Sequence, residues 1–177
     1  MLDSPLINGW RAKSLEMAKR TQLIDSLSPG KISRKRRSIW NTRGEALALF
    51  QSKKSFARWH PQMLQDYVTH GLTPTDDARL TLFFSREEET AIYNTLPHNL
   101  GQLLHLHPLR CPVGFIGGLQ SKEMKQVGMD MTQKVTRGRI MMLEGSHLFP
   151  MEHPEATAAA IEAQWRNLQI AASLRKN

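Results

Sequence analysis

With one cysteine, Cys111, in 177 residues, the chain cannot form an internal disulfide and has no cysteine pair for a structural zinc site. Nothing asks for an oxidising compartment, so a cytoplasmic setting is the default expectation. Long hydrophobic runs are missing too, and none approaches the roughly 18 residues needed to span a bilayer. Residues 1–30 lack a charged start, an apolar middle and a small-residue cleavage site in that order, so no leader is expected. There is no internal repeat and no low-complexity tract. A hydrophobic content of 40% over 177 residues predicts one unit with a real core, and the chain is short for two ordinary domains.

Charge of one sign is plentiful, but only locally. Residues 1–60 hold 13 Lys/Arg against 4 Asp/Glu, whereas residues 61–177 hold 11 against 12. The densest point is Lys31-Ile32-Ser33-Arg34-Lys35-Arg36-Arg37, a run able to grip phosphates or an anionic surface. The plainer reading of the run is a solvated helix face or loop, since basic clusters of this size are common on soluble domains and no interleaved aromatic platform or nucleic-acid motif accompanies it.

Two textures follow one another along the chain. From Asn8 to about Thr95 the pattern is helical, with Trp10, Met17 and Ile24 at a spacing of seven and Leu64, Tyr67 and Val68 at three and four. Ser28-Pro29-Gly30 and His70-Gly71-Leu72-Thr73-Pro74 act as breakers, and Leu80, Leu82 and Phe84 alternate as a short strand does. Trp10, Trp40, Phe56 and Trp59 are the candidate aromatic core. From Cys111 onward the texture becomes strand, helix, strand, helix. Val113 to Ile116 is closed by Gly117-Gly118, Ser121 to Lys134 predicts a helix, and Ile140 to Leu143 predicts a second strand. Such a βαβ unit makes two parallel neighbours and puts the chain in the α/β class. A last helix starts at Pro154, with Ile161, Trp165, Leu168 and Ala172 as the stripe expected to face the sheet.

Candidate chemistry concentrates at the end of the second strand. There Glu144-Gly145-Ser146-His147-Leu148-Phe149-Pro150 runs through a glycine turn and holds an imidazole at a strand's carboxyl end, where open α/β sheets place their reactive groups. A loop histidine bonded to backbone is the plainer alternative. His98, His105, His107 and Cys111 offer metal-ligating atoms, though His107-Pro108 reads as a turn, Leu103, Leu104 and Leu106 read as packing, and no carboxylate completes a set. Met124, Met129, Met131, Met141 and Met142 read as adaptable core filling.

The order of a strand ending in two glycines, a helix, a second strand, Glu144 to Glu152 and an amphipathic helix resembles the C-terminal part of the α/β-hydrolase fold. Met1-Leu2-Asp3-Ser4-Pro5 looks like the end of the core strand that precedes the cap in that family, and Asn8 to His107 looks like the helical cap. The resemblance covers nearly the whole chain and implies a partial α/β-hydrolase fold. Its divisions are 1–7 for the end of a core strand, 8–110 for a helical cap region and 111–177 for a β-α-β-α C-terminal core segment.

By this resemblance His147 matches the general base. The usual aspartate after the penultimate strand is missing, because Gly117-Gly118 is followed by Leu119-Gln120-Ser121-Lys122-Glu123. Glu123 is the nearest carboxylate for the acid position; as an ordinary feature it is a first-turn glutamate behind the N-cap candidate Ser121. Glu87-Glu88-Glu89 offers a further acid beneath a cap, or a helix start with Ile92 and Tyr93 turned inward. The nucleophile elbow, G-x-S-x-G or a close variant, occurs nowhere in these 177 residues.

The resemblance therefore implies hydrolysis of an ester-type or related bond in a small apolar substrate, with no activity expected of this chain alone: either a second polypeptide supplies the N-terminal half with its nucleophile, or the reading frame is truncated. It implies no metal and no organic cofactor. Two or three core strands also leave an edge and an apolar face uncovered. The alternative from another class is a non-catalytic binding module that uses Lys31 to Arg37 on nucleic acid or an anionic partner.

Overall fold

The computed structural model describes residues 1–21 and 30–174; Ile24, Ser28 and Pro29 lie outside the described residues. The chain divides into two compact units, an inserted one over Leu15–Leu96 and a second made of Met1–Ser14 with Pro97–Asn177. Where composition predicts one unit, two form, because the inserted segment closes a core of its own. The boundary falls inside α1 (Gly9–Arg20). In α1 only Ala12 is buried, while Met17 is exposed and Trp10 is 71% exposed, so neither fills the predicted core stripe. Three large apolar residues, Trp10, Leu15 and Met17, in an otherwise polar helix are too few to make a burying face.

The inserted unit runs α2 (Gly30–Lys35), β1 (Ile39–Trp40), α3 (Arg43–Gln51), α4 (Pro61–His70), β2 (Leu72–Pro74), β3 (Leu80–Leu82) and α5 (Arg86–Asn94). Its helix starts are written in the sequence. Thr42 caps α3 by accepting from the Glu45 amide, Pro61 opens α4, and Ser85 with Glu88 forms a reciprocal capping box ahead of α5. In the antiparallel sheet β1-β3-β2 the alternation of Leu80 and Leu82 marks β3, which ends before Phe84, whereas Leu72-Thr73-Pro74, expected to act within a breaker, is β2. Strands as short as β1 and β2 carry no period of their own. Trp40, Phe50, Leu64, Val68, Leu72, Leu80 and Leu82 form the buried cluster, with Phe56, Trp59 and Tyr67 packed against it. Thr90 is the buried residue of α5, and Ile92, expected inward, is exposed.

The second unit continues with α6 (Leu100–Leu106), β4 (Phe115–Gly118), α7 (Lys122–Val127), α8 (Asp130–Thr136), β5 (Ile140–Leu143), α9 (Phe149–Glu152) and α10 (Pro154–Ser173). Strands β4 and β5 pair in parallel, from Phe115 opposite Ile140 to Gly118 opposite Leu143. The single helix expected over Ser121 to Lys134 is two. Gly128, at φ 81°, leaves the helical region and separates α7 from α8.

The chain's first residues add a third parallel stretch beside β4. Ile116 donates its amide to Met1 O at 2.9 Å, Asp3 donates to Ile116 O at 2.8 Å, and Leu2 bridges Ile116 in parallel.

Helix α10 starts at Pro154 as predicted but turns a different face inward. Thr157, Ala160, Gln164 and Ala171 are buried, whereas Ile161 and Trp165 of the predicted stripe are exposed, Trp165 by 61%. Small residues let the helix approach the sheet closely. Gln164 Nε2 reaches Arg139 O at 2.9 Å across a site where a side chain on Gly114 would stand 1.9 Å from it. Ile161, Trp165 and Leu168 instead line an open apolar groove of about 330 Å³ with Met1, Leu2 and Val113. Among the methionines, Met124 is buried and Met141 packs on the Ile116–Phe149–Ala160 core, while Met142 is exposed, against its expected place in the interior. No helix among the described residues is long and apolar enough to cross a membrane.

Candidate active site

The site lies where the three parallel stretches end. Asp3 closes the first, Gly118 the second, and the turn Gly145-Ser146-His147 follows the third, so residues distant in sequence meet at the carboxyl edge of the sheet. Two glycines make this approach possible. A Cβ on Gly118 would stand 2.3 Å from Ser146 O, and Gly145, at φ 124°, has no room for one beside Phe149 Cβ at 2.6 Å.

Asp3 is the hub. It is 1% exposed and sits at φ 39°, a left-handed conformation that aspartate tolerates better than most residues. Its Oδ1 accepts the Gly118 amide at 2.8 Å. Its Oδ2 accepts the Ser121 hydroxyl at 2.5 Å and faces His147 Nδ1 at 2.7 Å. A carboxylate can only accept, so Nδ1 donates, and in the neutral ring Nε2 carries the lone pair. Nε2 has no hydrogen-bond partner among the described residues, and the His147 side chain is 45% exposed. A buried carboxylate behind an open imidazole is the arrangement that fixes a tautomer and stabilises the ring once it takes up a proton.

A second carboxylate holds the turn. Glu152, buried at the end of α9, accepts the Ser146 amide at 2.9 Å and the Ser146 hydroxyl at 2.5 Å, and the same hydroxyl accepts from Leu148 N at 3.1 Å. His147 is thus clamped from Asp3 on its ring and through Ser146 on its backbone.

Glu123 joins the cluster at one remove. Ser121, fully buried, caps α7 by accepting from Met124 N at 3.2 Å, and Glu123 Oε2 lies 3.3 Å from the Ser121 hydroxyl. That hydroxyl has one proton, and the shorter contact to Asp3 takes it. The carboxylate on the histidine ring is therefore Asp3, which the sequence reading passed over. The available signal was Met1-Leu2-Asp3 read as a strand end, since a carboxylate there lies beside the strand that closes at Gly118.

Asp3, Glu123 and His147 place ligand-type atoms within 4.8 Å of one another, the one such group of three among the described residues. An ion held by Nδ1 and Oδ2 would take the place of the 2.7 Å hydrogen bond between them. His98, His105, His107 and Cys111 form no such set: His105 lies within α6, His107 follows its last turn, and Cys111 is exposed. In the inserted unit, Arg36 pairs with Glu89 at 2.8 Å and Arg37 with Glu45, so the basic run is partly neutralised. Glu88 serves the capping box, and its bonds to Ser85 hold its carboxyl below the usual carboxylate range.

No protein-family model and no curated protein sequence matches the chain. Solved structures do. The peroxisomal alpha-beta-hydrolase Lpx1 of Saccharomyces cerevisiae is similar over 96% of this chain and 43% of its own length, with a TM-score of 0.58 at 16% identity. The M. tuberculosis esterase Rv0045c is similar over 85% of this chain and 48% of its own, with a TM-score of 0.53 at 14% identity. At such identity the likeness is one of fold, and the fold is α/β-hydrolase-like. The chain spans less than half the length of either structure.

Proposed function

We propose that the chain is the base-carrying part of an α/β-hydrolase that cleaves an ester-type bond in a small apolar substrate. His147 Nε2 takes the proton from a nucleophilic hydroxyl as that oxygen attacks the carbonyl carbon, then returns it to the departing alkoxide; a water repeats the cycle to free the acyl group. Asp3 holds the ring in the competent tautomer and stabilises its charged form. It takes the role for which Glu123 is the sequence candidate, and Glu123 reaches the pair's hydrogen bonds through Ser121. The hydroxyl comes from outside these 177 residues, and the groove along Met1, Leu2, Ile161 and Trp165 is the proposed seat for the polypeptide segment that brings it. A cytoplasmic setting and the absence of a resident cofactor go with this reading.

The observation that carries it is the 2.7 Å contact of a buried carboxylate with a half-exposed imidazole at the ends of parallel strands. Two hydrolases as fold relatives support it. The test joins the chain, covalently or by co-expression, to a hydrolase segment bearing a nucleophile elbow and assays activated esters. Turnover should fall by about 10⁶-fold in His147→Ala. Turnover that survives this change removes His147 from the mechanism.

A further inference from the structure

The basic run from Lys31 to Arg37 has no part in the proposed hydrolysis, yet within the inserted unit it borders a cavity. That cavity measures about 550 Å³, inside the range of roughly 300–1,000 Å³ common for small-molecule sites. Its apolar wall is Ile32, Leu49, Phe50 and Phe56, the two rings lying 4.9 Å apart. Ile32 is among the most exposed large aliphatic residues of the unit, so apolar surface is already open to solvent there.

The remaining lining is Ser55 and four cations, Lys35, Arg36, Arg37 and Lys53. The two arginines are answered by Glu89 and Glu45. Lys35 and Lys53 are exposed and enter no ion pair among the described residues, which leaves two positive charges uncompensated beside an apolar wall. Each half of this lining selects differently. A bare phosphate or a nucleic-acid backbone gains nothing from Phe50 and Phe56, and a neutral hydrocarbon gains nothing from the lysines.

We propose that this cavity binds a small amphipathic anion, an acyl or alkyl chain laid against Phe50, Phe56 and Ile32 with its carboxylate or phosphate head met by Lys35 and Lys53. The site is independent of His147.

Calorimetric titration of the intact chain with laurate, dodecyl phosphate and dodecanol, all below aggregation, tests it. Both anions should bind with one-to-one stoichiometry, and dodecanol about tenfold or more weaker. The double variant Lys35→Gln/Lys53→Gln, with unchanged circular dichroism, should weaken the anions about tenfold and leave dodecanol alone. Ile32→Ser should weaken all three, and His147→Ala none. The tighter anion identifies the head group, and either order upholds the site. Equal affinity for dodecanol and laurate, no binding, or anion binding untouched by the double lysine change overturns the proposal; the last of these would put the chain on another apolar surface.

Discussion

Replacing Asp3 separates the hub from its neighbours because alanine and asparagine damage it differently. Asp3→Ala strands the buried Gly118 amide without its acceptor and leaves the buried Ser121 hydroxyl only the 3.3 Å contact to Glu123 Oε2. The orphaned amide costs about 1–3 kcal/mol and the lost short hydroxyl bond about 0.5–1.5 kcal/mol. Alanine at φ 39° adds about 1–2 kcal/mol of backbone strain. The sum, about 2.5–6.5 kcal/mol, is a large share of the roughly 5–15 kcal/mol that holds a domain folded.

Asp3→Asn keeps Oδ1 for Gly118 and keeps the tolerance of the left-handed region, but puts a donor where Oδ2 was. Ser121 Oγ has a second lone pair to accept that donor while its own proton turns to Glu123 Oε2, now at 3.3 Å. His147 Nδ1 must then accept as well, so its proton moves to Nε2. The stability cost should be about 1–2 kcal/mol, with the tautomer reversed. Urea denaturation gives the first quantity, and the two-bond nitrogen–proton couplings of the labelled imidazole give the second. The parent should show Nδ1–H and Asp3→Asn should show Nε2–H, while Glu123→Gln leaves the tautomer alone and shifts stability by less than about 0.5 kcal/mol. A tautomer that ignores Asp3→Asn, or one that reverses in Glu123→Gln, refutes the assignment of Asp3.

Three further outcomes follow from the same geometry. Glu152→Ala frees both Ser146 groups and should cost about 2–4 kcal/mol by urea denaturation, with the His147 resonances broadened as its turn loosens. Gly118→Ala drives a methyl to within 2.3 Å of Ser146 O and should lower stability by about 1–3 kcal/mol, read as a drop in Tm, where a surface glycine-to-alanine change would leave Tm level or raise it. Burial among Phe50, Phe56 and Trp59 pushes the Tyr67 hydroxyl above its ordinary value. Its contribution is complete below the unfolded value of about 10 and is lost as pH rises through the raised folded one. Thermal melts should therefore weaken at the alkaline end, and Tyr67→Phe should flatten that decline.

Local signals on this chain are legible wherever one element suffices to produce them. Ile140 to Leu143 is a strand at the residues its apolar run marks, α10 opens at Pro154, and α5 begins after its serine-to-glutamate capping box. Gly128 shows the limit of reading one residue at a time, since an isolated glycine inside a helical pattern is compatible with either a continuous helix or a break. Here the positive φ decides for the break.

By itself the sequence determined two strands joined by a helical crossover and the imidazole after the second of them, because periodicity and turn chemistry act over a few residues. Which face of α10 is buried was decided by tertiary structure. Thr157, Ala160, Gln164 and Ala171 recur at helical spacing just as Ile161, Trp165 and Leu168 do, and close approach to the sheet favours the smaller set. The partner of His147 was decided the same way. Glu123 is nearer along the chain, but Asp3, 144 residues from the histidine, is brought onto its ring by strand pairing, which local reading has no means to register.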